Sequence, residues 1–211
     1  MALANYANLK AEISGLDSFS HRDDFDDSVD DFILLAETEM YSNSDVSLRV
    51  KEMNATETSA TSSSLRTQAL PTGFLEPRRF DLTVSSERRT IKYITPEAMY
   101  IRSGTGLPTC YTVTTQFEYD IIPDDTYVTN IIHYAKATAL SDANTTNAIL
   151  TNYPNVYLYG CLWAAFQWAE NDENILKYRA LFLSAIRGAN LATRTGTMGV
   201  STQRRNRRRN P

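Results

Sequence analysis

The amino-acid sequence predicts an α+β protein. Its helical bundle core is built from N-terminal helices and a C-terminal helical hairpin, with an antiparallel β-region inserted between them. Three observations predict this. Residues 152 to 191 read as two helices separated by the polar break Glu170-Asn171-Asp172-Glu173-Asn174. Residues 3 to 14 and 25 to 41 carry apolar side chains at helical spacing. Between them, short runs of Tyr, Val, Ile and Thr alternate with Pro, Gly and Ser clusters, the pattern of strands and turns. The expected organisation is N-terminal helices over 1–45, a β-rich region with a Ser/Thr loop over 46–138, a C-terminal helical core over 139–191, and a flexible Arg-rich tail over 192–211.

Taken in order, Leu3, Tyr6, Leu9 and Ile13 mark a short helix that stops near Gly15. Phe25, Val29, Phe32, Ile33, Ala36 and Met40 form one face of a helix over 25 to 41, whose acids cluster in the first turns and complement the positive end of the helix dipole. Val46, Leu48 and Val50 alternate with polar residues, which predicts a strand over 46 to 53. Asn54 to Thr67 is rich in Ser and Thr and reads as a surface loop or the tip of a long hairpin. Pro71 and Gly73 make a turn that Phe74 and Leu75 anchor. Residues 78 to 84 and 89 to 94 read as a hairpin turning at Ser85-Ser86-Glu87, and Thr95-Pro96 as a helix start. Cys110 to Thr114, Gln116 to Ile121 and Tyr127 to Tyr134 read as three further strands, and Ser141 and Asp142 as caps of a helix running to Thr151.

The hairpin that follows is the most strongly patterned stretch. Pro154 occupies a first helical turn, where its missing N–H costs nothing. Tyr153, Tyr157, Gly160, Cys161, Ala164, Ala165 and Trp168 fall at helical spacing, with Leu158, Leu162 and Phe166 on the other side, so this helix is apolar nearly all round and buried on several sides. Its small residues Gly160, Ala164 and Ala165 allow close approach of the second helix. That helix is capped by Asn171 or Asp172 and striped by Ile175, Tyr178, Phe182, Ala185, Ile186 and Ala189. Tyr153, Pro154, Tyr157, Gly160 and Trp168 are the expected structural core.

Several function classes find no support. No stretch of about 20 apolar residues could span a membrane, and Met1 to Lys10 lacks the basic start and apolar run of a secretory signal. Cys110, Cys161, His21 and His133 show no metal-ligand spacing. The cysteines read as reduced structural residues and His133 as a structural residue in an apolar strand. The acids from Asp23 to Asp31 could suggest a divalent-metal site, but a single helix spreads them round its surface, and the Gly and terminal Glu of an EF-hand are absent. Ser103 to Pro108 lacks the lysine of a phosphate-binding loop. Neither a catalytic group nor a cofactor site is expected. The formal charge is −4, yet the sequence ends in Arg204, Arg205, Arg207, Arg208 and Arg209. Such a cluster suits carboxylates or phosphates, because the guanidinium is a planar fork, or it serves only to solubilise.

Four motifs resemble the head-to-tail adaptor (connector) proteins of short-tailed bacteriophages. They are Tyr153-Pro154-Asn155-Val156-Tyr157-Leu158-Tyr159-Gly160 followed by an acidic break, Leu140-Ser141-Asp142-Ala143-Asn144-Thr145-Thr146-Asn147, Leu70-Pro71 leading to Phe74-Leu75, and Thr95-Pro96-Glu97. The resemblance covers roughly residues 20 to 191. It implies a structural virion protein of the neck or tail, made in the bacterial cytoplasm. It further implies a twelve-fold ring of adaptor subunits beneath the portal protein, extending the channel for viral DNA and meeting tail nozzle or fibre proteins. In related adaptors the C-terminal segment reaches the portal. By position this would assign Arg204, Arg205, Arg207, Arg208 and Arg209 to portal or DNA contact, although an Arg-rich ending is not itself part of the family pattern. The competing reading is a DNA-binding structural protein acting through the same basic tail, against which the acidity of the body counts.

Overall fold

A computed structural model describes residues 3–16, 19 and 25–197. It is a mixed α+β protein with five α-helices and two four-stranded, largely antiparallel sheets among the described residues. The chain forms two compact units, one from residues 1–53 and 137–211 and the other from residues 54–136.

The discontinuous unit holds all five helices: α1 (Tyr6–Ser14), α2 (Phe25–Ser42), α3 (Ala148–Asn152), α4 (Pro154–Trp168) and α5 (Asp172–Thr197). Asn5 caps α1, its side chain accepting the Asn8 N–H at 2.9 Å. The helix α4 packs against both α2 and α5, as its apolar circumference requires. The reason lies at Gly160. A Cβ there would sit 2.9 Å from Cε2 of Phe182 on α5 and 3.0 Å from Cβ of Ala36 on α2, so only glycine lets all three helices converge. Aromatic rings fill the space around this point. Trp163 stacks on Phe182, Phe166 stacks on Tyr178, and Phe25 and Phe32 both meet the edge of Trp168. Each fully buried large apolar side chain here contributes about 1.5–3 kcal/mol. Between α4 and α5 the chain turns through Glu170 at φ 54°, and Asn171 caps the new helix by accepting the Asn174 N–H. The helix then runs six residues past Leu191, the end expected from its stripe.

Two expectations within this unit need correction. Residues 46 to 50 belong to no sheet, and Lys51–Met53 is a 3-10 turn. The alternation was real, since Leu48 and Val50 are buried, but the polar backbone is satisfied by α5 instead of by a strand. The side chain of Asn190 accepts the Arg49 N–H at 2.7 Å and donates to the Ser47 carbonyl at 2.8 Å, and the Thr193 hydroxyl accepts the Lys51 N–H. Secondly, Ser141 and Asp142 cap no helix. Ser141 and Asn144 close a turn on each other, and Asn147 caps the short α3 by accepting the Ile149 and Leu150 N–H groups.

The second unit is a pair of sheets. One has the order β1 (Asn54–Ala60), β8 (Val128–Ala135), β3 (Phe74–Val84), β4 (Glu87–Thr90); the other has β2 (Thr67–Gln68), β7 (Phe117–Tyr119), β6 (Cys110–Val113), β5 (Lys92–Tyr93). All pairings are antiparallel except β5 with β6. Phe80, Leu82, Ile91, Tyr111, Phe117, Tyr119 and Ile131 form the core. Gln68 joins the sheets by donating to Thr129 and accepting from the Tyr119 hydroxyl. The stretch expected as a Ser/Thr loop contains β1 along half its length. Its polar side chains are mostly exposed and its backbone pairs with β8 throughout, so low hydrophobicity here marks an edge strand and not a loop. The β3–β4 hairpin turns through Ser85 and Ser86, both at positive φ, as a two-residue turn between twisted strands demands. Thr95-Pro96 opens only a single 3-10 turn, Pro96–Ala98, with no side-chain cap bond.

Candidate functional site

Two of the four motif segments, Leu140–Asn147 and Tyr153–Gly160, meet at one buried carboxylate. Glu37, on α2, is 8% exposed. Its Oε1 accepts the backbone N–H of Leu140 at 2.9 Å and the hydroxyl of Tyr157 at 2.8 Å. The Tyr157 oxygen in turn accepts from Nδ2 of Asn147 at 2.7 Å, and the same amide group donates to the Thr138 carbonyl. Thus, at the two ends of the Leu-Ser-Asp motif, Leu140 is tied to the Tyr-Pro helix through Glu37 and Asn147 is tied to it directly at the Tyr157 hydroxyl. Burial raises the Glu37 carboxyl above its ordinary value, outweighing the opposing effect of its two donors. Burial likewise raises the phenols of Tyr157, further raised by Glu37, and of Tyr41, which reaches about 12. The Tyr41 hydroxyl accepts the Ala137 N–H beside this junction. A second tie secures α1. Tyr6 and Lys10 both hold Asp30, at 2.6 and 2.7 Å, and the Tyr6 N–H donates to the Thr145 carbonyl.

Of the residues expected in the core, Tyr157 and Gly160 are buried, whereas Tyr153, Pro154 and Trp168 are half-buried. Tyr153 donates from its hydroxyl to Glu52 at 3.1 Å, and together with Tyr159, Ser184 and Gly188 it lines a groove of about 330 Å³ between α4 and α5. Arg204, Arg205, Arg207, Arg208 and Arg209 lie outside the described residues, as do His21, Asp23 and Asp24. Sequence reasoning missed Glu37, although it falls four residues after Ile33 and one after Ala36, on the apolar face of α2. A charged residue at a core position is the signal that could have found it. It also missed Asn147, read as part of a helix capped elsewhere.

Cys161 is buried and Cys110 half-buried; burial raises both thiols, which leaves them poor nucleophiles. His133 is buried beside Phe74, and its Nδ1 makes no hydrogen bond with the described residues. Among the described residues no three His, Cys, Asp or Glu side chains are grouped to hold a metal ion. No described helix is long and apolar enough to cross a membrane. In the β unit, Asp120 is 2% exposed and collects Arg102, the Thr109 N–H and the Thr109 hydroxyl. Burial would raise its carboxyl, but these donors outweigh that effect and hold it below the ordinary range. These bonds tie both ends of the 102–109 loop to Asp120.

The chain belongs to the SU10 adaptor protein family, whose model matches residues 4–209. This makes it a bacteriophage adaptor, a structural class and not an enzyme class. No curated protein matches the chain.

Proposed function

We propose that the protein is the head-to-tail adaptor of a short-tailed phage, which forms a twelve-fold ring beneath the portal protein, extends the channel through which DNA leaves the head, and offers its far side to nozzle or fibre proteins. The family match over residues 4–209 carries this reading. In it the helical unit is the bundle core and rigid stem of each subunit, with Glu37 joining α2, α4 and the 137–147 segment. The arginines at 204, 205, 207, 208 and 209 dock the stem to acidic groups on the portal.

Truncation after Thr197 tests the docking role while leaving α5 whole. The expected result is a protein with unchanged circular dichroism that no longer binds portal-bearing particles. Normal docking by the shortened chain would remove the arginines from that role. Loss of salt-sensitive affinity of the free protein for duplex DNA, with portal docking intact, would favour the DNA-binding reading instead.

A further inference from the structure

Two helices of the discontinuous unit carry exposed faces of opposite charge. On α2, Asp27, Asp31, Leu34, Leu35 and Thr38 are exposed and, at about 100° per residue, share one side of the helix. Leu34 is 58% exposed and Leu35 53%. The whole helix carries Asp26, Asp27, Asp30, Asp31, Glu37 and Glu39 and no basic residue. On α5, Leu176, Ala180, Leu183 and Arg187 follow one line, with Arg179 at its flank. Leu176 is 72% exposed and Leu183 half-buried. After Glu173 this helix carries Lys177, Arg179, Arg187 and Arg194 and no acid. In both faces an apolar side chain lies one turn from a charge: Leu34 and Leu35 from Asp31, Leu183 from Arg179 and Arg187. Exposed leucines on charged helix faces are the composition of a contact surface with a polar rim.

The two faces cannot meet within one chain. The buried sides of α2 and α5 both point at Gly160, through Ala36 and Phe182, so their exposed sides point away from that point. They can meet only between copies. We propose that the acidic, leucine-bearing face of α2 in one subunit packs against the basic, leucine-bearing face of α5 in the next. Unlike surfaces meeting head to tail form a heterologous contact, which closes into a ring when the rotation allows. The charges fix register and exclude like-with-like pairing, since α2 against α2 places acid on acid and α5 against α5 places base on base. This inference rests on the ring reading above and adds the surfaces that build the ring.

A charge-swap experiment tests it in the full-length protein on portal-bearing particles. One variant carries Asp27→Lys and Asp31→Lys, a second Arg179→Glu and Arg187→Glu, and a third all four. All four side chains are exposed, so circular dichroism should match the parent in each case. The first two variants should each lower the number of copies bound per particle at least tenfold. The fourfold variant should restore parental copy number, and so should an equal mixture of the first two, which can alternate round the ring. Parental copy number in either twofold variant overturns the pairing. Loss in both without rescue also overturns it, because the faces then bind something else, such as the portal or the arginine-rich end of the chain. A parental protein that binds as a single copy per particle is a different result: it removes the ring itself, and the pairing with it.

Discussion

Glu37 shows how a single residue can hold two motifs and make stability depend on pH. A carboxyl whose folded pKa is raised binds its proton more tightly in the folded state. The stability it contributes is therefore complete below the unfolded value, 4.5, and is lost as the pH rises through the folded value. Glu37→Gln keeps an oxygen to accept the Leu140 N–H and the Tyr157 hydroxyl but cannot ionise. Melting temperatures of the two proteins should coincide near pH 4, and the Gln variant should melt progressively higher than the parent as pH rises above that. A constant difference across the range would show that the carboxyl does not titrate in this window. Glu37→Leu removes the acceptor altogether and should cost about 1–3 kcal/mol for each donor left buried and unpaired.

At the scale of elements, the sequence pattern reports burial more reliably than it reports hydrogen-bond partners. Leu48 and Val50, which alternate with polar neighbours, are buried, yet they form no strand, because period-two alternation fits any segment with one side against a core. Only the structure reveals that Asn190, more than a hundred residues away, takes the place of a strand. The same holds for β1, whose polar composition concealed an edge strand because pairing is a property of the backbone. The Tyr153–Leu191 hairpin was legible because its periodicity, its Pro154 start and its acidic break all reported the same thing. The role of Asn190 is testable. Asn190→Ala leaves the Arg49 N–H and the Ser47 carbonyl without their partner and should destabilise the protein by about 1–3 kcal/mol in urea denaturation. Asn190→Asp retains the acceptor for Arg49 and should recover part of that loss. Equal stability of parent and Ala variant would mean that water replaces the amide without cost.

For the whole molecule, the register of β1 with β8 leads to the prediction that the β unit can be separated. Asn54 stands opposite Tyr134, and opposed residues of an antiparallel pair lie about 4.5–5.5 Å apart. The first strand therefore begins beside the end of the last one, and about four Gly/Ser residues, reaching roughly 13 Å when extended, are the linker to place between Met53 and Ala137. Each unit has its own interior: Phe80, Phe117, Tyr119 and their neighbours in one, the rings and small residues around Gly160 in the other. Residues 54–136 expressed alone should give a β-type circular dichroism spectrum and unfold in urea in one cooperative transition, with an m-value of about 1 kcal/mol/M expected for a small domain. The helical unit closed by the linker should keep its helicity and the pH response set by Glu37, since Leu140, Tyr157 and Asn147 all remain. A linked helical unit that loses its helicity would show that its stability depends on the β unit, and the insertion would then be part of one cooperative fold rather than a module carried by the stem.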